Sequence, residues 1–411
     1  MKTYSYIDLF SGAGGLSEGF IRGGYFPVAH IEMDKDACNT LRTRTAYHYL
    51  KNKKIFKSYI SYLKGEITRD ELFKKIPASL LATVLNEKIT EKTIKGIFEK
   101  IKTNLKTFKK QNVDIVIGGP PCQAYSNIGR SVDENGMKDD ERNYLYKMYA
   151  RFLNEFKPKI FIFENVPGIK TAKDGEIFKN LKKYFRRIGY ELDGKVLNAS
   201  DFGVLQNRKR IIIIGWRKEL NFSYPELDKI KFNATVCDIL TDLKPLKPGG
   251  VVNNGTYLKK STEYLAKFEI RNGLDFYTQH ITRPHNENDL EIYRLVIDKW
   301  NKEKVRLKYT DLPKKNRTQK NLKSFLDRFK VINKKSNSHT LVAHIAKDGH
   351  YYIHPDIKQL RSISVREAAR IQSFPDDYYF EGSRTSIFKQ IGNAVPPLMS
   401  ERIAKKIAKL L

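Results

Sequence analysis

The chain has 411 residues, a net charge of +30 and a sequence pI near 9.7. That length supports more than one packed unit, and that charge suits a polyanionic partner. Its three cysteines, Cys38, Cys122 and Cys237, exclude a disulfide framework and any Cys-x-x-Cys pair. The longest aliphatic run, residues 211–214, is too short to span a bilayer, and the first residues lack a signal-peptide block, so a cytoplasmic protein with no membrane association is expected. The positive charge is clustered: residues 299–335 carry eleven Lys and three Arg against three acids, whereas 216–298 balance at twelve each.

Residues 4–9 predict a first strand, followed by the turn Phe10-Ser11-Gly12-Ala13-Gly14-Gly15-Leu16 and a helix to about Gly23. Strand, glycine turn and helix form the arrangement that holds nucleotide-like ligands. Ser17 stands where a dinucleotide fingerprint needs its third glycine, which disfavours a nicotinamide dehydrogenase. A second strand over 27–31 ends in Glu32-Met33-Asp34. An acid at that remove from the turn suits ribose hydroxyls, and Met33 can pack on an adenine face. The plainer alternative is that Glu32 caps the helix starting at Lys35.

Residues 45–112 hold fifteen Lys and one Arg against six acids. The Thr68-x-x-Glu71 cap and the apolar spacing of Leu80, Leu81, Val84 and Leu85 predict a helical insertion before the next strand. That strand, Val113-Asp114-Ile115-Val116-Ile117, leads into Gly118-Gly119-Pro120-Pro121-Cys122-Gln123-Ala124-Tyr125-Ser126. The glycines permit a sharp turn and the prolines stiffen it. In open α/β sheets working groups collect past the carboxyl ends of strands, so Cys122 is presented as a nucleophile. A buried structural cysteine is the alternative, and the polar, backbone-shaping flanks weigh against it.

A helix over 139–154 and a strand over 158–163 follow, ending in Glu164-Asn165-Val166-Pro167-Gly168. Glu164 would be a second functional group at the same sheet edge, or a salt-bridged turn residue. A helix over 175–188, a strand around 191–198 and a strand over 211–215 continue the βα rhythm. Ahead of the last strand, alternation puts Gln206, Arg208 and Arg210 on one side. Arginine is suited to planar oxygen acceptors.

From Trp216 to Gln359 the rhythm stops, which predicts a second domain. Six of the eight histidines fall there without tight ligand spacing, so no metal is expected. Ser364-x-x-Glu367 caps a structural helix. Gly392-Asn393, ahead of Pro396-Pro397, reads as a turn able to approach a ligand, and a basic amphipathic helix runs to Leu411.

The Phe-Ser-Gly-Ala-Gly-Gly turn, Pro-Pro-Cys-Gln, Glu-Asn-Val, Gln-x-Arg-x-Arg and Gly-Asn-Ala-Val-Pro-Pro, in this order, resemble the C5-cytosine DNA methyltransferase family of prokaryotic restriction-modification systems. The match covers 1–44, 113–215 and 361–411, about half of the chain. The resemblance implies an α/β, Rossmann-like S-adenosylmethionine-dependent domain with a mostly parallel sheet over 1–215. It implies a smaller, irregular target-recognition domain over 216–360 and a return to the catalytic domain over 361–411. It further implies S-adenosyl-L-methionine as cofactor, double-stranded DNA as substrate, a monomer on DNA and functional pairing with a restriction endonuclease. Cys122 would attack carbon 6 of a flipped cytosine, Glu164 would contact ring nitrogen 3, and Arg208 and Arg210 would help to hold the ring. The cofactor would lie against Phe10, Ser11, Gly12, Ala13, Gly14, Gly15, Leu16, Glu32, Met33, Pro120, Leu145, Asn393 and Ala394. Gln123, Ser126, Asn165 and Gln206 would meet DNA. A transfer-RNA methyltransferase of the same family is the nearest rival, and the long basic 216–360 segment favours DNA; a non-catalytic DNA-binding relative is a second alternative, against which Cys122, Glu164 and both arginines argue. The acid that in relatives contacts the adenine amine has no evident counterpart in 45–112.

Overall fold

The computed structural model describes residues 3–121, 145–171, 175–318 and 320–411. A seven-stranded sheet organises the first half of the chain. Its strands are β1 (Ser5–Leu9), β2 (Phe26–Glu32), β3 (Val84–Asn86), β4 (Ile115–Gly118), β5 (Ile160–Asn165), β6 (Tyr190–Asn198) and β8 (Lys209–Arg217), in the order β3-β2-β1-β4-β5-β8-β6. From β3 to β5 all neighbours are parallel, and β8 runs antiparallel to both β5 and β6.

The central strands are apolar without interruption because both faces are covered. On one face Tyr6, Ile115, Ile117, Ile160, Ile162, Ile212 and Ile214 join a core with α1 (Gly15–Arg22) and the C-terminal helices α11 (Val365–Ile371), α12 (Arg384–Asn393) and α13 (Pro397–Ala408). On the other, Ile7, Leu9, Val116, Phe161, Phe163, Ile211 and Ile213 pack against α6 (Ile94–Thr107), α7 (Leu145–Phe156) and α8 (Glu176–Arg187). Alternating residues of each strand thus serve opposite cores. The chain's end is seated against its beginning: a Cβ on Gly19 of α1 would stand 2.3 Å from the Glu401 nitrogen of α13.

The insertion differs from its expectation. Helix α2 (Lys35–Asn52) is followed by short helices α3 (Lys57–Leu63), α4 (Arg69–Lys74) and α5 (Ala78–Leu81), and the Thr68/Glu71 capping box forms. These helices build a small core around Tyr47, Leu50, Tyr59 and Leu72, closed by Phe276. Val84 and Leu85, however, belong to β3, an edge strand paired with β2, and α6 behind it belongs to the sheet. Residues 84–107 are therefore part of the sheet and its cover, and the cluster of short helices lies between α2 and β3.

Between Arg217 and α11 the strands shrink to two-residue pieces, and the α-helices among the described residues are α9 (Glu263–Lys267) and α10 (Glu287–Glu303). This stretch divides by core. Val236, Ile239, Tyr264, Leu265 and Phe268 join the main core with the C-terminal helices, whereas Ile292, Tyr293, Val296, Tyr309, Phe329 and Ile353 form a core of their own. No helix among the described residues is long and apolar enough to cross a membrane.

Candidate active site

The carboxyl ends of β1, β2, β4 and β5 and the start of β8 meet along one sheet edge. At the end of β4 the backbone passes between two neighbours: a Cβ on Gly118 would lie 2.4 Å from the Leu9 carbonyl oxygen, and one on Gly119 2.6 Å from Glu164 Oε2. The sequence marks Gly118-Gly119 as a sharp turn, and the fold adds the close approach of Gly119 to Glu164. Pro120 follows, and its carbonyl accepts from Asn165 Nδ2 at 3.3 Å. Cys122, Gln123 and Ser126 lie outside the described residues. The stem that leads to them is held by β4, Glu164 and Asn165.

Glu164 is the last residue but one of β5, its side chain is 12% exposed, and Arg210 Nε stands 3.0 Å from its Oε1. Burial pushes the carboxyl above the usual carboxylate range, and the charges of Arg210 and Arg208 only partly offset this. The pair faces each other because β8 runs back along β5, with Glu164 opposite Ile212 and Asn165 opposite Ile211.

Three expected site residues are placed differently. Gln206 is fully buried: its amide donates to the Ile371 carbonyl and to Gln372, and its oxygen accepts from Leu341 N–H at 2.8 Å. It pins β7 (Gln206–Asn207) to the C-terminal helices and has no free group to offer DNA. Arg208 is also fully buried, donating to the carbonyls of Leu341 and Gly392. It acts on Glu164 through charge and as a brace, not by reaching the edge as Arg210 does. Asn165 is 2% exposed and spends its side chain on Pro120 and Val166, so it holds Pro120 at the end of β4. Alternation had put Gln206, Arg208 and Arg210 on one side, but that side turns inward for the first two.

The glycine turn lies beside Glu32. Glu32 Oε2 accepts from Gly12 N–H at 2.8 Å, and Oε1 accepts from Met33 and Asp34 N–H, both at 2.9 Å. The cap of α2 is Asp34, whose side chain accepts from Asp36 and Ala37, so Glu32 is not the cap. Gly12 has φ +52°, and a Cβ there would meet nothing within 4 Å, so the turn faces open space. Phe10 is half-buried and Met33 is 64% exposed. Open backbone, a carboxylate and an exposed thioether side by side fit the adenosyl part of S-adenosylmethionine.

The remaining turn residues face protein: Ser11, Ala13 and Leu16 are buried, and Cβ atoms on Gly14 and Gly15 would strike Leu41 and Val395. Ser11 Oγ donates to the Asp8 carbonyl at 2.8 Å. Asn86, at the end of β3, donates to the carbonyls of Glu32 and Met33 at 3.2 and 3.0 Å, a contact invisible while β3 was unrecognised. Leu145, half-buried, and Pro120 line a small cavity with Pro121 and Phe163. Gly392 and Asn393 are the last residues of α12, not a free turn; a Cβ on Gly392 would meet the 342–343 backbone at 2.5 Å. Asn393 is exposed and Ala394 buried.

The model of the family described as C-5 cytosine-specific DNA methylase matches residues 4–77 and 78–409. Among relatives, Type II methyltransferase M.Bpa9945I of Bacillus paralicheniformis is 43% identical, covering 98% of each chain. Type II methyltransferase M1.HphI of Haemophilus parahaemolyticus is 30% identical over 99% of this chain and 87% of its own. Among solved structures, a proposed DNA modification methyltransferase encoded within an E. coli prophage shares the fold, with a TM-score of 0.66, 24% identity and 99% coverage of each chain. The chain therefore belongs to the C-5 cytosine-specific DNA methylase family, and is a DNA cytosine-5 methyltransferase that uses S-adenosylmethionine as its methyl donor.

Proposed function

We propose that the enzyme methylates carbon 5 of a cytosine flipped out of a specific duplex site, through a transient Cys122 adduct, and so protects DNA from a cognate type II restriction endonuclease. The observation that carries the chemistry is the buried Glu164 carboxyl, packed against Gly119 at the stem of the Cys122 loop and bridged to Arg210. The protective role is supported by the two type II methyltransferases that resemble the chain end to end.

Carbon 5 of cytosine is a poor nucleophile. Addition of the Cys122 thiolate to carbon 6 turns the ring into an enamine. Negative charge builds on the ring and is drained at nitrogen 3, where a protonated Glu164 donates. Arg210 holds both Glu164 and the ring oxygen. S-adenosylmethionine, when bound beside Phe10, Gly12, Glu32 and Met33, supplies an electrophilic methyl group. A water takes the carbon-5 proton, the electron pair expels the Cys122 thiolate, and the nitrogen-3 proton returns to Glu164 as the aromatic ring is restored. A stacked base cannot reach the thiol, so the cytosine must leave the helix. Residues 1–215 and 361–411 serve as the catalytic part. Within 216–360, the part that packs around its own core of Ile292, Tyr293, Val296, Tyr309 and Phe329 reads the site.

A duplex carrying 5-fluorocytosine at the site mapped by bisulfite sequencing, incubated with donor, should trap the protein covalently at Cys122. Cys122→Ser should bind the duplex without trapping. Methyl transfer by the serine variant at the parental rate would overturn the mechanism.

A further inference from the structure

Residues 314–335 carry nine lysines and arginines and a single acid, Asp327. Within them, the loop 321–328 is built rather than loose. Asn321 Oδ1 accepts from the N–H groups of Lys323 and Ser324 at 2.9 and 3.0 Å, and its Nδ2 donates to Ser324 Oγ at 2.7 Å. Arg328 closes the loop, donating to the Asn321 and Phe325 carbonyls at 2.8 and 3.0 Å while lying 4.1 Å over the Tyr309 ring. Leu326 packs on the local core, and its carbonyl accepts from Tyr309 N–H at 2.6 Å.

At its tip the loop goes against two ordinary preferences. Phe325 is 56% exposed and sits at φ +53°, in the left-handed region that bulky side chains avoid. Leu322 beside it is 44% exposed. The fold spends hydrogen bonds to hold a phenyl ring in water, within a stretch of sequence rich in lysine and arginine. The loop is also tied to the catalytic edge. Asp327 accepts from Tyr351 Oη at 3.1 Å, the Tyr351 carbonyl lies 2.5 Å from His339 Nε2, and His339 pairs in register with Asn207, three residues before Arg210.

We propose that Phe325, backed by Leu322, is an apolar wedge that enters the DNA stack beside the target cytosine and lowers the cost of taking that base out. Lysines and arginines settle the loop on the phosphates, and a pre-shaped aromatic tip then unstacks one base step. The proposal rests on the reading that the chain flips a cytosine from duplex DNA.

The test uses the full chain, donor, and duplexes with the mapped cytosine either paired with guanine or opposite an abasic position, where it is already loose. Phe325→Ala should lose about tenfold or more in kcat/KM on the paired duplex and clearly less on the abasic one, because the loose base needs little unstacking. The slope of log affinity against log salt should not change, since no charge is removed. Phe325→Gly should lose the same activity while its melting temperature holds or rises, because glycine relieves the left-handed backbone. A Phe325→Ala variant equal to the parent on paired duplex, or impaired equally on both substrates, overturns the wedge. A parent that methylates neither duplex overturns the underlying reading instead.

Discussion

At the scale of single residues, the proposed mechanism turns on the protonation of Glu164. Burial raises its pKa, so part of the population stays neutral where an exposed glutamate would be ionised. Glu164→Gln keeps a donor for nitrogen 3 and an acceptor for the exocyclic amine, but it has no proton to deliver. Turnover should fall by roughly 10²–10⁴-fold while the affinity for DNA is kept. In the parent, activity should decline on the alkaline side as pH rises through the raised pKa and the proton is lost. The glutamine variant should lack that limb, and a pH profile of kcat for both proteins decides it; an alkaline limb persisting in Glu164→Gln would move the titration to another group. Gly119 gives a second test. An alanine Cβ would stand 2.6 Å from Glu164 Oε2, so the carboxylate must shift. A displacement of about 1 Å at a reacting group costs about 10²-fold, so Gly119→Ala should lose activity on that order with an unchanged melting temperature. Full activity in that variant would mean that the carboxylate has room the packing denies.

At the scale of elements, α11 illustrates what local sequence can specify. Ser364 Oγ accepts from Glu367 N–H at 3.1 Å, Glu367 Oε2 accepts from Ser364 N–H at 2.7 Å, and His280 Nδ1 meets the same hydroxyl at 2.8 Å. Ser364→Ala removes the cap and leaves His280 Nδ1 without its partner, while Nε2 keeps the Lys244 carbonyl at 2.8 Å, so unfolding by urea should show a loss of roughly 1–2 kcal/mol. A loss below the fitting error would mean that water replaces the hydroxyl. This cap, the capping box of α4, the glycine turn and the strands with Ile-rich runs were legible because short-range chemistry determines them. β3 was not: three residues, Val84-Leu85-Asn86, become a strand only because β2 offers them an edge, and their spacing with Leu80 and Leu81 imitates a helix. Gln206 and Gly392 failed for a related reason. Alternation shows which residues share a face, and a glycine shows that something comes close, but only the fold shows whether DNA or another protein segment lies there. The edge bearing Glu164 and Arg210 could be anticipated, because strand ends in such sheets converge by topology.

At the scale of the whole molecule, the two ends of the chain are joined through buried charge. Burial alone would raise the pKa values of Glu18, Glu367 and Asp376, but Arg44, Arg361 and Arg370 outweigh it and hold these carboxyls below their usual range. Arg44 of α2 binds Glu18 of α1 and, at 2.8 Å, Asp377 of the C-terminal segment. Removing one partner would leave a buried charge uncompensated, which is why such networks resist substitution. Burial also keeps His30 and His354 neutral, pushing both down to about 4. The consequences for acid stability add. Between about 6.5, the histidine value in the unfolded chain, and about 4, the unfolded state binds protons that the folded state refuses, so stability falls as pH falls. The paired carboxylates contribute stability that is complete above their unfolded pKa values, near 4, and is lost as pH drops below them. The melting temperature should therefore begin to fall below about pH 6.5, by on the order of 3 °C between pH 7 and 5, and steepen under pH 4. Replacing His354 with a glutamine, which does not titrate, should flatten the upper part of that decline and leave the steep part in place. Asp8 and Glu164, whose burial raises their pKa values, contribute with the opposite sign, so a melting temperature constant from pH 7 to 5 in both the parent and the His354→Gln variant would show that the imidazole can be protonated in the folded state.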